Sequence, residues 1–267
     1  MVIPIGDYHP TKKTPWVTFT LIFANILIFS IQLYKGQSFT NSYAVTPYEI
    51  FYGRDLIGPP NGLRLHTPGQ NSNALTLSPQ PDEVFHDPNF RHHPNPLPVW
   101  STIITAMFLH GSPLHLLGNM LFLWIFGDNV EDTFGGFRYL LLYLLAGIVG
   151  FLIQSMASIN SVIPILGASG AVAGIMGAYL ILFPMNPIRV IILYFPTVLP
   201  AFIVISFWIF TQLSLGLYEL DRLGKTGGVA YLAHIGGVIA GIAVTYLLVP
   251  VSQRRLQPNP QRTPPDF

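Results

Sequence analysis

Apolar residues along this chain gather in long unbroken runs separated by short polar connections. A helix needs ~20 such residues to cross the hydrocarbon core of a bilayer. Six stretches qualify: Trp16–Leu33, Leu114–Asp128, Tyr139–Ala157, Ser169 to about Pro184, Val198–Leu217, and Val229–Val249, which Pro250 closes. The pattern predicts an all-α, polytopic membrane protein built as a bundle of six transmembrane helices. Residues 1–15 form a leading segment, 16–250 the helical domain, and 251–267 a polar, Pro-rich tail expected to be disordered. A long external loop, 34–99, interrupts the domain. Nine prolines fall between Pro59 and Pro98, so residues 55–98 are expected to build no core and to lack regular structure.

Composition agrees with the pattern. The chain is 51% hydrophobic and only 9% charged, with a mean hydropathy of +0.49, whereas soluble domains carry roughly 25% charged residues. Membrane lipid is therefore an expected partner. A net charge of +1 provides no field for nucleic acid. The absence of cysteine removes disulfides, thiolate metal sites and cysteine catalysis together. No cleavable signal is evident, because the first apolar run is too long and no small-residue cleavage site follows it.

Lys and Arg near helix ends set orientation. One side collects Lys12, Lys13, Arg138, Arg189, Arg254, Arg255 and Arg262, and the other Lys35, Arg54, Arg64, Arg91, Arg222 and Lys225. Arg54 and Arg64 lie deep in the long loop and count little. The bias places both termini in the cytoplasm, in an expected bacterial plasma membrane. Helices 2, 4 and 6 then all run from outside to inside.

That direction brings scattered polar residues to one depth. His115 and Asn119 lie in the first turns of helix 2, Ser169 begins helix 4, and His234 lies near the start of helix 6. A serine and a histidine can form a nucleophile and its base. Ser169 at a helix start also has free N–H groups beside it, suited to an oxyanion. Taken alone, Gly-x-Ser-Gly is more often a cap or a packing site. His234 is an ionisable residue inside a span, which makes it a functional candidate. His115 and Asn119, at i and i+4, share a helix face and can both donate to negative charge. His110 reads as structural.

Glycines supply a means of contact. Gly170 and Gly174 line helix 4, and Gly237 and Gly241 line helix 6. Such small-residue strips let two helices pack with close backbones, which would bring Ser169 to His234. No carboxylate lies near this set, since Asp128, Glu131 and Asp132 belong to the opposite end of helix 2. A dyad therefore fits better than a triad. From Ser169 to Phe183 is 15 residues, or about 22 Å, so the serine would be recessed below the outer surface. His66, His86, His92 and His93 have no metal-ligand spacing and read as solvated loop residues; no metal or other cofactor is expected. Trp124, Phe126, Trp208 and Phe210 read as packing or lipid-facing aromatics. Gly224, Gly227 and Gly228 make the connection before helix 6 a candidate lid.

Three motifs occur in order: His110-Gly-Ser-Pro-Leu-His115-Leu-Leu-Gly-Asn119, Gly167-Ala-Ser169-Gly170, and Ala233-His234-Ile-Gly-Gly237-Val-Ile-Ala-Gly241. With the six-span layout they resemble the rhomboid family of intramembrane serine proteases, over about residues 12–250. The resemblance implies Ser169 as nucleophile and His234 as general base. It implies an oxyanion hole of His115, Asn119 and the Ser169 N–H, supported by the loop at Gly167. It also implies transmembrane protein substrates, cut near the outer membrane boundary, and lateral access gated by helix 5 near Phe202, Trp208 and residues 219–228. Two features depart from the family pattern. Some relatives carry an aromatic one turn after the serine, where this chain has Ala173, so another group must orient His234. Trp100 is followed by Ser101 rather than the Arg found in some members.

Other classes fit less well. An escort protein of the same family would usually lack the serine or the histidine. A transporter would often show inverted repeats or intramembrane charge. Metalloprotease and paired-aspartate signatures are absent from the sequence.

Overall fold

The computed structural model describes residues 2–8, 11–59, 63–65, 91–220 and 229–250. Six helices dominate: α1 (Trp16–Lys35), α5 (Pro113–Phe134), α6 (Gly136–Met156), α7 (Ser169–Leu182), α8 (Ala201–Leu220) and α9 (Tyr231–Leu248). Four of them, α1, α6, α8 and α9, contain segments long and apolar enough to cross a membrane. The short α7, at 14 residues, is buried at the centre. Its Gly- and Ala-rich sequence lets α6 and α9 approach on two sides. The outer helices instead present large apolar side chains outward, among them Phe23, Leu33, Phe137, Phe210 and Leu247. That much exposed apolar surface suits lipid rather than water.

Local chemistry sets the helix ends. Gly36 ends α1 at φ +79°, and Gly135 separates α5 from α6 at φ +73°. Ser112 caps α5 by accepting the His115 N–H at 3.1 Å, with Pro113 at the first helical position. The free N–H groups at the start of α1 are satisfied from another helix. Glu131 on α5 accepts the Val17 and Thr18 N–H groups at 3.0 and 2.7 Å, and the Thr18 hydroxyl at 2.8 Å. A carboxylate there also complements the helix dipole. At the opposite end, the buried Gln32 amide clamps the His110 backbone, donating to its carbonyl at 3.2 Å and accepting its N–H at 2.9 Å. Two polar side chains thus fix the antiparallel pair α1 and α5 at both ends.

The structure corrects the all-α expectation by adding two small sheets. Strands β1 (Val2–Asp7), β4 (Pro187–Ile192) and β5 (Phe195–Pro200) form an antiparallel sheet in the order β1-β4-β5. The run Pro187-Ile-Arg-Val-Ile-Ile is rich in β-branched residues, which favours extended backbone. Pro196 and Pro200 fall on the outer strand, where a missing N–H costs least. As a result α8 begins at Ala201, not at Val198. The turn places Leu193 and Tyr194 at φ 49° and 83°, a left-handed backbone that usually selects Asn or Gly. Asp7 ties the sheet to the bundle, accepting from Asn129 Nδ2 at 2.7 Å and from the Tyr179 hydroxyl at 2.8 Å.

The loop after α1 is also more structured than its prolines suggest. It forms α2 (Gln37–Tyr43) and α3 (Pro47–Tyr52), then β2 (Leu56–Ile57) pairs with β3 (Arg64–Leu65). Residues 99–108 follow as 3-10 turns around α4 (Thr102–Thr105). Long-range bonds replace local propensity here. Gly58 and His92 exchange backbone bonds at 3.0 and 2.9 Å, and Asn95 bonds the Asp55 carboxylate through its backbone and side chain. His92 is consequently buried rather than solvated, and burial lowers its pKa to about 4. The expected disorder of residues 60–62, 66–90 and 251–267, and the histidines His66 and His86, lie outside the described residues, as do Gly224, Gly227 and Gly228 of the candidate lid.

Glu49 on α3 anchors this loop. Its buried carboxyl accepts the Leu56 N–H at 2.9 Å. Burial pushes its pKa up to about 8; the Leu56 bond opposes that shift and the Asp55 charge adds to it. The folded loop therefore binds a proton that the unfolded chain has released. Its stability is highest below the ordinary carboxylate pKa, falls as pH rises from about 4.3 toward 8, and then levels. The slope is at most about 1.4 kcal/mol per pH unit. Hydrogen exchange of residues 45–57, compared with Glu49→Gln at each pH, should show extra opening of the wild-type loop on going from pH 5 to pH 8. Glu49→Gln should lack that extra opening.

Candidate active site

Three helices start at one end of the bundle and bring their first turns together. The geometry begins with glycine. A Cβ on Gly237 of α9 would collide with the Gly170 carbonyl of α7, and one on Gly241 with the Gly174 carbonyl. On the third side, a Cβ on Gly150 of α6 would lie 2.6 Å from the Ala233 carbonyl. Helices α6, α7 and α9 are thus in backbone contact along a line of glycines. The first turn of α9 is fixed further by Gln154 of α6, whose Oε1 accepts the Leu232 and Ala233 N–H groups at 3.1 and 3.2 Å. This side chain from a neighbouring helix does the work of an N-cap.

Within that frame Ser169 Oγ and His234 Nε2 are 2.8 Å apart. Ser169 is the first residue of α7 and is half-buried, while His234 is buried. The other ring nitrogen, Nδ1, lies 2.7 Å from Gln212 Oε1 on α8. The Trp208 ring, one turn earlier on α8, lies over the His234 ring at 5.5 Å and 32°. Tyr231 meets the ring edge-on at 6.3 Å. Trp208 is therefore not merely a packing or lipid-facing residue. It supplies, from another helix, the aromatic support that Ala173 cannot.

His115 and Asn119 border the same space. Gly167 has φ +131°, and a Cβ there would lie 2.8 Å from His115 Cε1, 3.0 Å from its Nε2 and 3.6 Å from Ser169 Oγ. Glycine is thus needed for its backbone conformation and for the approach of the imidazole. The Gly167 N–H donates to the Ala106 carbonyl at 2.9 Å, which pins the loop below the ring. His115 Nδ1 faces the Gly111 N–H at 3.5 Å, so its Nε2–H is directed toward Gly167 and Ser169. Asn119 Nδ2 lies 3.0 Å from His110 Nε2. Burial and the neighbouring His115 ring lower the His110 pKa to about 3, leaving a neutral ring that can accept from Asn119. His110 thus lies within the set, beside His115, and orients Asn119.

Gln212 and Gln154 carry no role in the sequence reading, and Trp208 enters it only as a packing or lipid-facing aromatic and as part of a lateral gate. One signal was available: Gln212 is a buried amide in an otherwise apolar span, with Trp208 at i−4 on the same face. No group of three or more His, Cys, Asp or Glu with metal-binding geometry occurs among the described residues.

The Rhomboid domain family matches residues 98–251 of this chain. The chain belongs to the rhomboid family. The match takes in α5 to α9 and every residue of the site. "RHOMBOID-like protein 6, mitochondrial" of Arabidopsis thaliana is 28% identical over 90% of this chain and 70% of its own length. "Rhomboid-type serine protease 2" of Emericella nidulans is 26% identical over 87% of this chain and 49% of its own. "Rhomboid protease GluP" of Bacillus subtilis is 36% identical over 53% of this chain and 25% of its own. The chain spans about half the length, or less, of several of the curated relatives it matches. The family and its named serine-protease relatives support a serine peptidase, and the family with the apolar helices supports a membrane protein.

The glycine contacts yield a direct expectation. Gly237→Leu must push α9 away from the Gly170 carbonyl, separating Ser169 from His234. Overpacking of this kind costs roughly 1–3 kcal/mol. A thermal melt should fall accordingly, and any Ser169-dependent activity should be lost. Surface Leu247→Ala, on the same helix, should leave both nearly unchanged.

Proposed function

We propose that this chain is an intramembrane serine endopeptidase working through a Ser169–His234 dyad. The single observation that carries this reading is the 2.8 Å contact between Ser169 Oγ and His234 Nε2 at the buried start of two apolar helices. His234 Nε2 takes the Ser169 hydroxyl proton as Oγ attacks the scissile carbonyl carbon, and the carbonyl π electrons move to oxygen. The resulting oxyanion is stabilised by the His115 Nε2–H, the Asn119 amide and the free Ser169 N–H at the positive end of α7. His234 then gives its proton to the leaving amine. Water, activated by the same imidazole, hydrolyses the acyl-enzyme.

The bundle suggests the substrate class. In this reading all six helices lie in the membrane, with α5 and the short, buried α7 sheltered by α1, α6, α8 and α9. The site then lies below the surface on the side away from the three-stranded sheet. We read the side of Lys12, Lys13, Arg138 and Arg189, with both termini, as cytoplasmic, in keeping with the Lys and Arg bias along the sequence. A recessed site with a water-facing mouth suits transmembrane protein segments cut near the outer boundary. The exposed apolar faces of the outer helices take up lipid.

The test is cleavage of a single-span reporter substrate in liposomes. Ser169→Ala and His234→Ala should each reduce cleavage by at least 10³-fold, in line with losses when acting residues of a catalytic unit are removed, with unchanged melting temperatures. Undiminished cleavage by either variant would refute the mechanism.

A further inference from the structure

We propose that Gln212 is a positioning residue, the neutral third member of the array, which fixes His234 in the tautomer that can accept the Ser169 proton. This inference rests on the protease reading and deepens it.

A consistent set of donors and acceptors runs along a chain that starts at the Thr211 hydroxyl. The Thr211 hydroxyl donates to the Trp208 carbonyl at 2.7 Å. Having one hydrogen, it can only accept from its other neighbour. That neighbour is the Gln212 amide, whose Nε2 lies 3.3 Å away and donates to it. The Gln212 flip is thereby set, and Oε1 faces His234 Nδ1 at 2.7 Å. An amide oxygen cannot donate, so Nδ1 carries the hydrogen. Nε2 is then left with a lone pair, aimed at Ser169 Oγ 2.8 Å away. The opposite tautomer would bury a lone pair against Oε1 and leave no acceptor for the serine hydroxyl, which is unfavourable inside a bundle.

Residue placement supports the same role. Gln212 is 8% exposed and shares one face of α8 with Trp208 and Thr211. The indole holds the ring plane while the amide holds its rotation. In an acid-containing triad a carboxylate does this work and also stabilises the imidazolium. Gln212 orients without adding charge. The Nδ1 proton stays on His234 throughout; only the serine proton moves, to Nε2. A buried carboxylate at this depth would depend on the imidazolium beside it for compensation, a dependence that an amide avoids.

The test uses the full chain in liposomes with a fluorogenic single-span peptide, read as kcat, KM and pH profile. Gln212→Leu should lower kcat about tenfold or more, as for the loss of one orienting hydrogen bond, with KM within about twofold. Gln212→Glu should restore most of kcat and move the acidic limb of the profile upward, because a carboxylate beside the ring favours its charged form. Thr211→Val should give an intermediate loss by freeing the amide to flip. Wild-type kcat and pH profile in Gln212→Leu would overturn the proposal. So would a kcat loss that Gln212→Glu fails to restore, which would mean packing alone. Nitrogen NMR of the wild-type chain labelled at histidine, assigned by difference from His234→Ala, needs no Gln212 variant. The Nδ1–H tautomer is expected, and an Nε2–H tautomer overturns the proposal. A wild-type chain that neither cleaves nor reacts would count against the protease reading, while the NMR result would still decide the Gln212 contact.

Discussion

The backbones of α7 and α9 touch, and most of the site depends on that contact. With any side chain at Gly237 or Gly241, α9 would stand off from the Gly170 and Gly174 carbonyls. A separation of one methyl group would already exceed the tolerance of a hydrogen bond between Ser169 and His234. Apolar helices in a membrane protein gain little from the hydrophobic effect against one another where lipid surrounds them, so close van der Waals packing of small residues becomes the main attraction between them. The same glycines that let the helices associate set the distance between Ser169 and His234.

Around this contact, polar side chains reach between elements to satisfy helix ends. Glu131 serves the start of α1, Gln154 the start of α9, and Gln32 the backbone at His110 just before α5. Each group would be costly to leave unpaired in an apolar surround. Each therefore fixes the relative position of two helices. The array at the site extends this practice: His110 holds Asn119, and Gln212 meets His234. The three-stranded sheet and Asp7 brace the other end, away from the chemistry.

The spans α1, α6, α8 and α9 were legible from continuous apolar runs alone, because a helix that crosses lipid must stay apolar nearly throughout. Gly170, Gly174, Gly237 and Gly241 were legible as packing strips for the same reason. The small sheet was less visible. Its strand Pro187–Ile192 adjoins apolar helices, and a short apolar run does not declare its period. The partial order of residues 34–98 was hidden because it rests on distant partners, such as Asn95 with Asp55 and Tyr48 with Ser161. Trp208 and Gln212 were hidden for a related reason. Their meaning depends on which face of α8 turns toward α9, and that is fixed by tertiary packing rather than by the residues of α8 themselves.

In the proposed mechanism, helix packing turns Ser169 into a nucleophile with His234 as its base. Intact-mass analysis and peptide mapping after reaction with a fluorophosphonate test this most directly. A single adduct on Ser169 is expected, lost in Ser169→Ala and strongly reduced in His234→Ala. No adduct on the wild-type chain, an adduct on another residue, or labelling indifferent to His234 would contradict it.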